Sequence, residues 1–194
     1  GLRPFDEADS QDFFGRDALV SRLIDRFNED AAAANFLAVV GPSGSGKSSV
    51  VRAGLIPRMR FGEVADTFNW FIADFVPGDE PIANLANALL SLAANPIPDL
   101  LQKLRTDETA VVSAVNQILA NAPDGRILLF IDQFEEVFTL TENEAIRLHL
   151  LNMLSYAIHQ SPDIYIIVTI RADFFDKPLL YEGISELMQA RTQV

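Results

Sequence analysis

Cysteine is absent from the 194 residues, and histidine occurs only at His149 and His159, ten positions apart in an apolar stretch. Disulfide scaffolds, thiol catalysis and zinc-finger spacing are thereby excluded. No apolar run approaches the ~18 residues a membrane span requires, and no basic-then-apolar leader opens the chain. Positive charge is scarce as well: 15 Lys and Arg stand against 27 Asp and Glu, a net charge of −12. A nucleic-acid backbone is therefore not an expected partner, and neither is a membrane. The chain reads as a soluble, unexported protein of the cytoplasm.

What is present is ordinary for a folded chain, with 49% hydrophobic and 22% charged residues, and the length suits one domain with a sizeable core. The charge is unevenly spread. Residues 1–61 hold eight basic and eight acidic residues, whereas residues 62–194 hold seven basic and nineteen acidic ones. A bound anion is better placed in the neutral first third. The chain opens at Gly1 and stops at Gln193-Val194 within a helical-looking stretch, so it reads as one core cut from a longer protein. It contains no internal repeat and no low-complexity segment.

Hydrophobic spacing alternates helix with strand. Leu19, Val20, Leu23, Ile24 and Phe27 recur at helical period, giving a helix over about residues 17–28. Phe36 to Val40 reads as a buried strand closed by Gly41-Pro42, and Ser48 to Gly54 as a helix that ends or bends near Pro57. Asn69 to Phe75 reads as a strand, and Pro81 opens a helix through Leu92. Further helical spacing covers about 99–105 and 108–120. Ile127 to Ile131 is a continuous apolar strand; Thr141 and Glu144 have capping-box spacing ahead of a helix to about His159. Ile164 to Ile170 is another apolar strand, followed by a helix near 182–190. Apolar strands separated by helices imply an α/β fold with a parallel sheet covered on both faces.

Three strand ends carry chemistry. Gly41-Pro42-Ser43-Gly44-Ser45-Gly46-Lys47-Ser48, continued by Ser49, fits the phosphate-binding pattern between a strand and a helix. Its glycines let backbone N–H groups turn inward around phosphate oxygens at a helix N-terminus. Lys47 reaches the β- and γ-phosphates, and the Ser48 hydroxyl is placed for Mg²⁺. The strand Ile127 to Ile131 ends in Asp132, the acid that holds Mg²⁺ in such sites. Glu135 or Glu136, just beyond it, is positioned to orient or deprotonate an attacking water. The third apolar strand ends in Arg171, which either contacts a γ-phosphate or pairs with nearby Asp173. Ligands of open parallel sheets bind outside the carboxyl ends of the strands, so Gly41, Asp132 and Arg171 should converge.

Gly1-Leu2-Arg3-Pro4-Phe5, Phe13 to Asp17, Gly46 to Leu55, Phe130 to Phe138 and Thr169 to Phe174 together resemble the nucleotide-binding core of bacterial STAND NTPases, in the group often joined to WD-repeat propellers. The resemblance implies a P-loop three-layer sandwich of the additional-strand class with a mostly parallel sheet. It also implies an ATP-operated switch: Phe14, Gly15 and Arg16 lie against the adenine, Lys47 and Ser48 hold phosphate and Mg²⁺, and Arg171 senses the γ-phosphate. In such proteins ADP keeps the molecule closed, and exchange for ATP permits self-association and activates an effector domain elsewhere in the chain, under a repeat sensor. This chain departs from the wider superfamily in placing Gln133, not an acid, directly after Asp132. Slow hydrolysis is the expected consequence. A nucleotide-binding scaffold without hydrolysis is the alternative. A small-molecule kinase is disfavoured because Lys103 and Arg105 are the only basic residues between 62 and 125, and a GTPase because no Asn-Lys-x-Asp motif occurs.

Overall fold

Side chains on successive strand residues point to opposite faces, so a fully apolar run can bury both its faces only between layers. The computed structural model, which describes residues 17–29, 33–65 and 68–193, shows this arrangement. Five strands form a single parallel sheet in the order β2-β3-β4-β1-β5. They are β1 (Phe36–Gly41), β2 (Trp70–Phe75), β3 (Arg126–Ile131), β4 (Ile164–Arg171) and β5 (Thr192–Gln193). Phe36, Ala38, Val40, Ile127, Leu129, Ile131, Ile166 and Val168 pack on one face. Leu37, Val39, Leu128, Phe130 and Ile167 pack on the other.

The first face is covered by α4 (Pro81–Leu92), α5 (Leu100–Thr106), α6 (Ala110–Ile118), α8 (Glu144–Gln160) and α9 (Glu182–Ala190). The second receives α1 (Asp17–Phe27) and a continuous helical rod made of α2 (Lys47–Ser49), a π-helical stretch (Val50–Leu55) and α3 (Ile56–Arg60). A short α7 (Glu136–Thr139) follows β3. β4 lies between β1 and β3, the extra strand that the additional-strand class requires. No helix among the described residues is long and apolar enough to cross a membrane.

Two local expectations are corrected and one open alternative is decided. The helix after the phosphate loop does not end near Pro57 but continues to Arg60 beyond a widened turn. Proline lacks an N–H, and just before it the rod has this widened turn, in which Ile56 N–H donates to Val51 O, five residues back. Thr141 does not cap α8. Asn143 does, its side-chain oxygen accepting from Ala145 N at 2.9 Å and Ile146 N at 3.4 Å, while the buried Thr141 hydroxyl has no partner. The C-terminal stretch is not all helix: Thr192 and Gln193 pair in parallel with Ala38 and Val39 of β1. Arg191 holds them there. Arg191 is 2% exposed; its guanidinium donates to Glu29 Oε2 at 2.7 Å and to Arg26 O, and its backbone carbonyl accepts from Ala38 N at 3.0 Å.

The difference between the two caps is measurable. Asn143→Ala should destabilise the fold by about 1 kcal/mol, whereas Thr141→Val should be neutral or slightly stabilising because it removes an unpaired buried hydroxyl. Urea unfolding of both variants reads the contrast; an equal loss in both would restore Thr141 as the cap.

Candidate functional site

Register pairing brings the three strand ends to one edge of the sheet. Gly41 is the partner of Arg171, and Ile131, the residue before Asp132, is the partner of Val168. Between β1 and α2 the loop turns through Gly44 and Gly46 at φ 72° and 84°, in the left-handed region where glycine is favoured. Gly41 itself is closely overhung, since a Cβ there would come within 3.0 Å of Ser45 Oγ. Ser43 and Gly44 are exposed, while Ser45, Gly46, Lys47, Ser48 and Ser49 are half-buried at the start of the rod. The Lys47 ammonium folds back onto its own loop, donating to Gly41 O at 3.0 Å and Pro42 O at 2.9 Å. Burial pushes its pKa below the usual lysine value, against the attraction of Glu135 and Asp132.

Asp132 is 3% exposed and fully engaged. Its Oδ1 accepts from Ser48 Oγ at 2.6 Å, Thr169 Oγ1 at 2.5 Å and Gln133 N at 3.1 Å; its Oδ2 accepts from Arg52 Nη1 at 2.8 Å. Gln133 stands at φ 55°, unusual for a residue with a side chain, and its N–H is shared between Asp132 and Thr169 Oγ1 at 3.0 Å. Strand β4 therefore helps to place the carboxylate that ends β3.

The two glutamates part company. Glu135, 9% exposed, accepts from Arg171 N at 3.2 Å and faces the phosphate loop. Glu136 turns away and accepts from Gly78 N at 3.0 Å, one helical step round from Glu135 at the start of α7. It fastens the loop after β2, so of the two glutamates Glu135 is the one tied to the end of β4. The Arg171 side chain takes the local arrangement: it forms a forked pair with Asp173 at 3.1 and 2.6 Å and lies over the Phe174 ring at 5.1 Å. That pair holds the Asp173 carboxyl below its usual range. Phe14, Gly15 and Arg16 lie outside the described residues. Beside the loop, an apolar cavity is lined by Leu19 of α1, Val39, Val40, Pro42, Val50 and Gln193.

Arg52, Asp74 and Thr169 were not anticipated. Arg52 follows Ser48 by four residues, a spacing that on a helix puts both on one face. Thr169 precedes Arg171 by two residues on a strand, so both share a face.

A family profile described as Novel STAND NTPase 1 matches residues 1–194. The chain belongs to this family. Among solved structures it is similar to the Walker-type ATPase of Pyrococcus abyssi, at 19% identity and a TM-score of 0.56 over 87% of this chain. The chain spans about half of that protein, 48% of its length. No curated protein matches at a significant level. This novel STAND NTPase thus has the P-loop NTPase fold, and its family makes it a nucleotide-binding protein.

Thr169 supplies a direct check on the carboxylate's setting. Thr169→Val keeps the shape of the side chain but leaves Asp132 and Gln133 N–H each short of a partner, a loss of about 1–3 kcal/mol in urea unfolding. Thr169→Ser, which retains the hydroxyl, should lose less than half of that. Equal losses would mean that the hydroxyl does not hold Asp132.

Proposed function

We propose that this novel STAND NTPase is a slowly hydrolysing, ATP-operated switch whose nucleotide state controls self-association and effector output in the longer protein. The observation that supports it most is the convergence of Lys47, Ser48, Asp132, Glu135 and Arg171 on one sheet edge, each at or just after the end of a strand. Ser48 Oγ and Asp132 are hard oxygen donors in contact, the kind Mg²⁺ takes. Among the described residues no cluster of three or more His, Cys, Asp or Glu forms a cage. Mg²⁺ characteristically keeps waters and substrate phosphate oxygens as ligands, so the donor set fits an ion that arrives with nucleotide. Ser48 and Asp132 would hold it, and when bound it neutralises charge developing on the phosphates.

The chain's own groups account for the rest. The loop N–H groups and Lys47 bind the phosphates, Lys47 exchanging the Gly41 and Pro42 carbonyls for phosphate oxygens. The cavity beside Leu19 and Val50 takes the base. Glu135 holds the water that attacks the γ-phosphorus and takes its proton as the bond between the γ-phosphorus and the bridging oxygen breaks, releasing ADP and phosphate. Arg171 leaves Asp173 to meet the γ-phosphate, which is how the triphosphate is told from the diphosphate. Gln133 in place of an acid and the tie of Glu135 to Arg171 N–H favour slow turnover. A protein that spends most of its time bound suits switching more than metabolism.

Two measurements test the reading. Lys47→Ala should abolish Mg²⁺-dependent ATP binding in calorimetry on the full-length protein; undiminished binding would sink the proposal. Arg171→Ala should weaken ATP by about tenfold, the equivalent of one charge-assisted hydrogen bond, while ADP affinity stays within about twofold. Equal losses for both nucleotides would remove the sensing role.

A further inference from the structure

The Arg52 guanidinium lies between two carboxylates. Nη1 donates to Asp132 Oδ2 at 2.8 Å, while Nε and Nη2 donate to Asp74 Oδ2 and Oδ1 at 2.8 and 2.9 Å. Its carbon stands 5.0 Å from the centre of the Phe130 ring. Strand pairing builds this arrangement: Asp74 on β2 is the register partner of Phe130 on β3, so the ring and the second carboxylate arrive side by side beneath the rod that carries Arg52. The Asp132 side chain is only 5% exposed and that of Asp74 36%, so one end of the bridge is dry and the other reaches solvent. All three donor nitrogens are committed, and the paired bonds to Asp74 hold the guanidinium proton more firmly than usual.

Take the cation away and two carboxylates and the Ser48 hydroxyl remain together: Asp74 and Asp132 at opposite ends of the vacated space, and Ser48 on Asp132. Two carboxylates brought close without a counter-ion either take up a proton or bind a cation. With Arg52 in place, Asp132 Oδ2 is closed to a metal ion, and only Oδ1 is turned toward Ser48.

We propose that Arg52 is the resident counter-cation of the metal side, filling the place a divalent ion would otherwise take between Asp74 and Asp132, so that metal enters only with the phosphates of a nucleotide. It rests on the reading of Ser48 and Asp132 as metal-side groups. Arg52 is a positioning residue here, acting through Asp132. The arrangement keeps free Mg²⁺ from settling at the edge in advance and blocking the exchange of one nucleotide for another.

The experiment uses Mn²⁺ alone with the nucleotide-free protein, free Mn²⁺ being counted by electron paramagnetic resonance. Arg52→Gln should bind Mn²⁺ about tenfold or more tightly than the wild type, since a unit positive charge a few ångströms from the site is removed. Arg52→Lys should stay near the wild type. Adding Asp74→Asn to Arg52→Gln should cancel the gain, a reversal that a merely structural salt bridge would not produce. Arg52→Met replaces the arginine with an unbranched, uncharged side chain and carries the same expectation, so loss of fold in one variant leaves the other decisive. An unchanged or weaker Mn²⁺ affinity, a gain that survives Asp74→Asn, or failure of both variants to fold would each overturn the proposal. Because no nucleotide is present, the outcome is separate from the loss of ATP binding in Lys47→Ala, which tests the switch itself.

Discussion

A carboxylate buried at the end of a central strand must be compensated, and the way Asp132 is compensated organises this molecule. Its donors come from the start of the rod after the phosphate loop, from the widened turn of that rod, from the backbone after β3 and from the neighbouring strand β4. Losing any one of these leaves the buried carboxylate short of a partner, at a cost of about 1–3 kcal/mol. The phosphate loop is thus tied to the sheet through the second residue of its helix, not only through β1. The left-handed Gln133 follows from the same demand, since its N–H must reach back to both Asp132 and Thr169.

Much of the fold could be read from apolar runs because a strand buried on both faces has room for a polar residue only where a partner is at hand, as Asp132 is for Thr169. β1, β3 and β4 therefore stand out in the sequence, and the strand-ending Gly41, Asp132 and Arg171 mark the sheet edge by topology alone. The parts that escaped notice depend on contacts distant in sequence. Two residues of β5 are too few to show a period, and what places them is a buried arginine reaching Glu29 and Arg26. The rod crosses Pro57 with a widened turn just before it, in which the Ile56 N–H reaches back five residues to Val51 O. Thr141 had the spacing of a cap, but the chain enters α8 two residues later, where Asn143 was equally able to serve. The acids that hold Arg52 lie 22 and 80 residues away in sequence, and only the pairing of β2 with β3 brings them beneath it.

Among the described residues, the three cations named at the edge each already have an anionic or carbonyl partner: Lys47 the loop carbonyls, Arg171 the Asp173 carboxylate, Arg52 two acids. In the proposed switch, nucleotide binding is therefore an exchange of partners more than a gain of new ones. Net affinity is then the difference between two well-satisfied arrangements. The exposed Arg171–Asp173 pair is the easiest of the three to break, as solvent screens it, whereas the Arg52 bridge is anchored in the dry interior at Asp132.

The short β5 makes a mechanical connection. It hydrogen-bonds along β1, and β1 runs without interruption into Gly41 and the phosphate loop, while the buried Arg191 pins the same segment to the end of α1. Tension applied along the backbone at Gln193 is consequently shear on the strand that carries the loop, with the arginine acting as the rivet that converts a pull into sliding.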